Sequence, residues 1–259
     1  MTKFGISGQD YRMKNNMIIF TTGSSGSSVL TGLIATQGYW LGDETKQLNF
    51  DTYENAELVD LNIRILKESG FRRIDCNDIP PPSIEKIKLL KKTIDPTDFK
   101  KFVQKCNQNK PWIWKDPRLS YTIHFWDQFE EVKKSDVLFV SRDALQSYAG
   151  LIISRKVPMS YSDYSKINSN YFKSYKKFVK SNQIHDFKIG FEDLILKPEE
   201  SILSLNERFS LNISFEDLKK TYKGKLYQKR YGRLEILKSY AYFIFYKYFR
   251  KEAISFPRG

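Results

Sequence analysis

A serine-rich turn and two strand-terminal cations are the groups in this sequence whose type and placement could do chemistry. Met17 to Thr22 reads MIIFTT, apolar and β-branched, and runs straight into Gly23-Ser24-Ser25-Gly26-Ser27-Ser28. Beyond it, Leu30, Leu33, Ile34 and Gln37 fall near one face of a helix. Strand, glycine-rich turn and helix together present backbone N–H groups to a phosphate. Glycine lets the main chain approach closely, the helix N-terminus adds partial positive charge, and hydroxyls add hydrogen bonds. The nucleoside-triphosphate version needs G-x-x-x-x-G-K-[ST], and Ser27 stands where its lysine belongs. That lysine serves the β- and γ-phosphates, so its absence speaks against a triphosphate and leaves open a single phosphate held by backbone. Ser141 and Arg142 follow the apolar run from Val137, where a magnesium-holding Asp would be expected. A turn that binds nothing remains the bland alternative.

Lys115 ends the apolar run from Trp112, and Arg142 ends the run from Val137 and precedes a helix. Side chains at such strand ends enter the crevice where parallel sheets bind ligands. The fork of Arg142 suits a phosphate; its alternative is a salt bridge to Asp143 or another acid. The alternative for Lys115 is a snorkelling surface lysine. Asp116 and Pro117 read as an N-cap acid and a proline at the first helical position. Glu54, three residues after Asp51 at an expected helix start, could close a capping-box-like arrangement.

The elements that must hold these groups are short apolar strands at 112–115, 137–141 and 187–190, besides the first at 17–22. Helical patterns lie between and after them at 54–69, 84–92, 98–107, 120–129, 145–155 and 201–209. Strands alternating with helices predict an α/β fold, a P-loop-like parallel sheet flanked by helices on both faces. Residues 160–182 are too polar and too rich in Ser, Tyr and Lys to assign to an element, and Pro80-Pro81-Pro82 marks a surface connection. The expected organisation is one domain over 1–259, with a core at about 16–210 and a basic, aromatic, helical C-terminal extension over 211–259.

Composition narrows the class. With 259 residues, 41% hydrophobic and 15% aromatic, the chain can bury a sizeable core and is not wholly disordered. No apolar run approaches the ~20 residues of a membrane-spanning helix. Met1 to Asn16 is polar and lacks the apolar stretch of a secretory signal. Cys76 and Cys106 make no disulfide framework and match no zinc spacing, and His124 and His185 are too few for a histidine-rich metal site. These features predict a soluble protein of a reducing, cytoplasmic compartment with no metal. The net charge is +13, of which residues 219–259 carry twelve Lys/Arg against two Asp/Glu, 12 − 2 = +10. Such a tail suits a polyanion, an anionic membrane or an anionic ligand.

Several segments resemble, in order, those of sulfotransferases that use 3′-phosphoadenosine 5′-phosphosulfate. Gly23 to Val29 is similar to their 5′-phosphosulfate loop. Phe50-Asp-Thr-Tyr-Glu-Asn-Ala-Glu57, leading to Asn62, resembles the acidic segment of the bacterial carbohydrate type. Trp112-Ile-Trp-Lys-Asp-Pro-Arg-Leu119 resembles a further segment whose Lys-Asp-Pro core tyrosylprotein sulfotransferases share. Val137 to Asp143 resembles the strand whose terminal Arg grips the 3′-phosphate, and Phe191-Glu-Asp-Leu194 with Pro198 a later strand-to-helix segment. The resemblance spans about 16–210. It implies that Glu54 is the general base, with Glu57 in reserve, and that Lys115 neutralises charge on the transferring sulfuryl group, with Arg118 assisting. It implies that Gly23, Ser24, Ser25, Gly26, Ser27 and Ser28 hold the 5′-phosphate. Arg142 and the position of Gly150 would serve the 3′-phosphate. The acceptor would be a hydroxyl, on a glycan or glycolipid. Two positions depart from the pattern: Ser24 replaces a loop Lys or Arg, and Gly150 replaces a serine.

The tail admits more than one partner. Tyr222 to Arg233 mixes Lys, Arg and Tyr, and Leu234 to Phe249 is dense in Tyr, Phe and Ile. It could close the phosphate pocket, lie on an anionic membrane through 222–251, or pack as an ordinary helix on the core or on a second subunit. No nucleic-acid fold signature accompanies it, so no nucleic-acid partner is expected. The competing functions are a P-loop kinase-like phosphotransferase and a non-catalytic binder of anionic membranes or nucleic acid.

Overall fold

Every residue of β1 (Met17–Thr21) is buried, as expected of a strand with a sheet neighbour on each side and helices above and below. The computed structural model describes residues 14–48, 51–71, 79–154, 157, 159–222, 232–234, 237–238, 240–241 and 244–245. The polar start of the chain, Cys76 and much of the basic tail lie outside them. After β1 come α1 (Ser27–Ala35), a small hairpin of β2 (Thr45–Gln47) and β3 (Asp51–Asn55), and three helices: α2 (Ala56–Glu68), α3 (Ile84–Thr93) and α4 (Thr97–Gln108). Next are β4 (Ile113–Lys115), α5 (Leu119–Trp126), α6 (Glu130–Lys133), β5 (Asp136–Ser141) and α7 (Ala144–Ala149). A π-helical turn over Gly150–Ser154 continues α7. The last described elements in series are α8 (Tyr161–Ser181), β6 (Phe187–Gly190), α9 (Phe191–Leu196), α10 (Pro198–Phe209) and α11 (Phe215–Thr221).

Four strands form one parallel sheet in the order β4-β1-β5-β6, with Ile19 opposite Lys115 and Thr21 opposite Val140. Strand alternation sends Ile18, Phe20, Trp114, Val137 and Phe139 to one face and Met17, Ile19, Ile113, Leu138 and Val140 to the other. The first set packs with Phe99 and Phe102 of α4, Phe125 and Trp126 of α5, and Tyr171, Tyr175 and Phe178 of α8. The second packs with Leu30, Leu33 and Ile34 of α1, and with Leu194, Ile202, Leu205 and Leu218 of α9 to α11. The α/β sheet flanked by helices on both faces is therefore present. The chain leaves β1 for β4 on one side and later returns to place β5 on the other. This makes the β1/β5 boundary the switch point, where open parallel sheets form a crevice beyond their carboxyl ends.

Several sequence expectations are corrected. Helix α2 starts at Ala56, not Glu54; its N-cap is Asn55, whose side chain accepts from the Leu58 amide, and Glu54 belongs to β3. No capping box runs from Asp51, because Asp51 Oδ1 accepts the Tyr53 amide at 2.8 Å. The expected helix at 145–155 is an α-turn pair that widens into the π-helical turn. Residues 160–182, unassignable from composition, contain the 21-residue α8. Its polar residues face out, while Tyr164, Ile167, Tyr171, Ser174, Tyr175, Phe178 and Val179 recur at three- and four-residue spacing on the buried side. Buried tyrosines and one serine disguise that stripe as a polar segment.

That serine shields a buried histidine. His124 is 1% exposed, and its Nε2 lies 3.2 Å from both the carbonyl and the hydroxyl oxygen of Ser174. The Ser174 hydroxyl in turn donates to the Ser120 carbonyl at 2.5 Å. Burial, and after it the charge of Lys88, pushes the imidazole pKa down to about 4. The neutral ring is the native form, so the stability it contributes is complete above the unfolded value near ~6.5 and is lost as pH falls toward 4. Urea unfolding should lose about 3 kcal/mol from this group between pH 7 and 4. In His124→Asn the same titration should be shallower by about that amount; an unchanged slope would mean the ring is hydrated.

Candidate active site

The turn after β1 is built by its own hydroxyls. Ser25, 1% exposed, hydrogen-bonds through its hydroxyl to Thr21, whose own hydroxyl donates to the Thr22 carbonyl at 2.8 Å. Ser24 has φ 61° and Gly26 has φ 79°, so the main chain turns through left-handed conformations twice. A Cβ on Gly26 would lie 2.2 Å from the Phe191 ring, which makes glycine obligatory there for space as well as for conformation. Beside Gly23 a Cβ would meet nothing within 4 Å, so that side of the turn is open. Ser27 and Ser28 form the first turn of α1, which holds no acidic residue and no side-chain cap. Its leading N–H groups lack intrahelical acceptors and remain available to an anion.

Lys115 and Glu54 meet beside this turn. Alternation along β4 puts Lys115 on the α1 face of the sheet, where its side chain is 4% exposed. It is not a snorkelling surface lysine. Its Nζ donates to Glu54 Oε1 at 2.6 Å, to the Thr52 carbonyl at 3.2 Å and to Ser28 Oγ at 3.3 Å. Three partners occupy the three N–H bonds of the ammonium. Ser28 is the most distant of them and the one an incoming anionic oxygen would replace.

The hairpin that carries Glu54 is held by local side-chain bonds and by one unusual residue. Thr52 Oγ1 donates to the Lys46 carbonyl at 2.7 Å and accepts the Glu54 amide at 3.3 Å. Tyr53 has φ 55°, and a Cβ on Gly32 of α1 would lie 2.6 Å from the Tyr53 ring. The strained backbone thus lays Tyr53 on α1 and leaves Glu54 toward Lys115. Burial, and then the Asp51 carboxylate, raises the Tyr53 phenol pKa. Thr52 and Tyr53 were not singled out from the sequence; the Asx-turn pattern Asp51-Thr-Tyr53 was the available signal.

Arg142 reaches the turn from across the switch point. Its Nη1 donates to the Ser24 carbonyl at 3.3 Å, its Nε lies 3.6 Å from Glu192 Oε1, and its guanidinium sits 5.3 Å from the centre of the Phe191 ring. The acid beside it is Glu192 and not Asp143, whose carboxylate instead caps α7 at the Gln146 amide. Ser147 of α7 approaches the same Ser24 carbonyl at 3.5 Å. Ser24 itself carries no charge, yet two cations, Lys115 and Arg142, contact the turn from neighbouring strands.

The remaining candidates separate. Gly150 is buried at the start of the π-helical turn, one turn beyond Ser147. Glu57 is exposed and paired with Lys105 at 2.8 Å, away from Lys115. Asp116 is not the helix cap: position N-cap of α5 is Arg118. Asp116 is fully buried, accepts Asn62 Nδ2 at 2.8 Å, and accepts the Arg118 amide and guanidinium at 3.0 and 2.9 Å. Asn62 Oδ1 accepts from Trp126 Nε1 at 2.8 Å. This chain of buried polar groups fixes the end of β4, and with it the root of Lys115.

Removing one member of a buried ion pair strands the other, which typically costs ~3 kcal/mol or more. Lys115→Met should therefore lower the unfolding free energy by about 3 kcal/mol. Glu54→Gln/Lys115→Met should recover most of that loss, because no charge is left unpaired. Urea denaturation of the four proteins of this cycle measures it; additive losses would show that the pair is not coupled.

No family model matches the chain, and no curated protein matches it. Among solved structures, the chain is similar to the sulfotransferase domain from the Synechococcus PCC 7002 olefin synthase, with 13% sequence identity and a TM-score of 0.46 over 99% of this chain and 94% of that one.

Proposed function

We propose that this protein transfers a sulfuryl group from 3′-phosphoadenosine 5′-phosphosulfate to a hydroxyl acceptor, a carbohydrate being the acceptor class implied by the sequence resemblance. One observation supports this most: the 2.6 Å Lys115–Glu54 pair stands beside Ser28, in the first turn of the helix that follows the serine-rich turn. A cation for a transferring anionic group and a carboxylate for an acceptor proton are thus neighbours beside the serine-rich turn.

In this mechanism the backbone amides of Gly23 to Ser28, with the hydroxyls of Ser24, Ser27 and Ser28, hold the 5′-phosphate. Arg142 takes the 3′-phosphate, its fork replacing the Ser24 carbonyl and Glu192 with phosphate oxygens. Lys115 exchanges its Ser28 contact for an oxygen of the sulfuryl group or of the leaving phosphate. Glu54 accepts the proton of the acceptor hydroxyl as its oxygen attacks sulfur. The bond from sulfur to the 5′-phosphate oxygen breaks, and adenosine 3′,5′-bisphosphate leaves with that bond's electron pair. Positioning and electrostatic stabilisation supply the catalysis; one preorganised donor of the Lys115 kind is typically worth ~3–4 kcal/mol in the transition state.

Thermal unfolding with adenosine 3′,5′-bisphosphate is the direct test. At a hundred times its Kd a specific ligand adds ~2.7 kcal/mol, a rise of roughly 5–10 °C for a chain of this size. Arg142→Ala should remove most of that rise, and an equal rise with Mg-ATP would favour the kinase-like alternative. Glu54→Gln should keep the rise while transfer of labelled sulfate to a hydroxyl acceptor falls ~10²–10⁴-fold. Undiminished transfer would return Glu54 to a purely structural role.

A further inference from the structure

Beyond the crevice, the C-terminal segment carries an apolar stripe that points into solvent. Residues 233–234, 237–238, 240–241 and 244–245 are helical. Leu234, Leu237 and Ile244 are 70%, 63% and 51% exposed, and Ala241 between them is exposed too. Spacings of three and four residues put these four within an arc of ~80° on a helix turning ~100° per residue. Exposed Arg233 falls on one side of the arc and exposed Lys238 on the other. Tyr240 leaves the helix outside the arc and packs 5.7 Å from Tyr148, beside Tyr161 and Tyr164. The helix is thus tied to α7, which begins two residues after Arg142, while its apolar stripe stays uncovered by the described residues.

We propose that this stripe is the contact face of an interfacial helix that lies on an anionic lipid bilayer. Charge selects the occupant. Residues 219–259 carry a net +10, so a second copy seated on the same face would bring two such segments together and repel. A nucleic acid would satisfy the charge but offers no apolar medium for three leucine-sized side chains. An anionic bilayer satisfies both: acyl chains take Leu234, Leu237 and Ile244, and Arg233 and Lys238 sit at headgroup level on either side. The segment lies on the bilayer without crossing it, and no helix among the described residues is long and apolar enough to span one. The inference does not rest on the proposed sulfuryl transfer.

Co-sedimentation of the full chain with vesicles tests it. Vesicles of phosphatidylcholine with ~30% phosphatidylserine should bind at least about tenfold more tightly than phosphatidylcholine alone, and raising salt from ~0.1 to ~0.5 M should weaken binding. L237Q/I244Q, changed only at exposed positions, should keep the wild-type unfolding curve and lose about tenfold or more in affinity for the anionic vesicles. In L237W, the added indole should shift its emission to the blue on the anionic vesicles only. Equal binding to both vesicle types, or wild-type binding by L237Q/I244Q, overturns the proposal. So does a lipid-free dimer that L237Q/I244Q makes monomeric, which would assign the stripe to a second copy.

Discussion

A lysine ammonium withdrawn from water is the constraint around which this molecule is arranged. Lys115 is only 4% exposed and must have its three N–H bonds met and its charge opposed. Glu54 supplies the charge, and Thr52 and Ser28 supply the remaining acceptors. Those acceptors come from a hairpin and from the first turn of α1, so one side chain ties three separately coded segments together. The Asn62–Asp116–Arg118 group behind it does the same for the end of β4. An apolar residue at 115 would be easier to bury by itself, but it would leave Glu54 without its cation.

Topology decides where that cation stands. Because β1 has β4 on one side and β5 on the other, the turn after β1 is reached by a cation from each neighbour. Arg142 touches the turn at Ser24 and Lys115 touches it at Ser28. The turn itself is neutral and open beside Gly23, shaped by Ser25, Thr21 and the ring of Phe191 packed against Gly26. Under the proposed function, charge for a phosphate at this turn would be supplied from its two flanks and not by a lysine inside it.

The cations of the described residues fall into two settings. The crevice pairs its cations with Glu54 and Glu192, whereas Arg233 and Lys238 of the C-terminal segment are exposed beside Leu234, Leu237 and Ile244. Among the described residues these two settings differ: one compensates its charge internally, and the other sets exposed cations beside apolar side chains.

From the sequence alone, the central strand, the serine-rich turn, the helix behind it and the strand-terminal positions of Lys115 and Arg142 were legible. Each is a local pattern: β-branched runs bounded by glycine, a helix-period stripe, a cation at the end of an apolar run. Helix α8 was not legible, because its buried stripe is written in tyrosines and a serine that count as polar until neighbours cover them. The placement of Glu54 was misread for a related reason. Helix propensity near Asp51 competes with an Asx turn and a left-handed Tyr53 whose stability comes from the ring packed on Gly32 of α1, a contact between residues that only the folded chain brings together. The ion pair that joins residue 54 to residue 115 likewise exists only once β3 and β4 lie side by side. Local spacing therefore determined which groups could act, and burial against distant partners decided which of them meet.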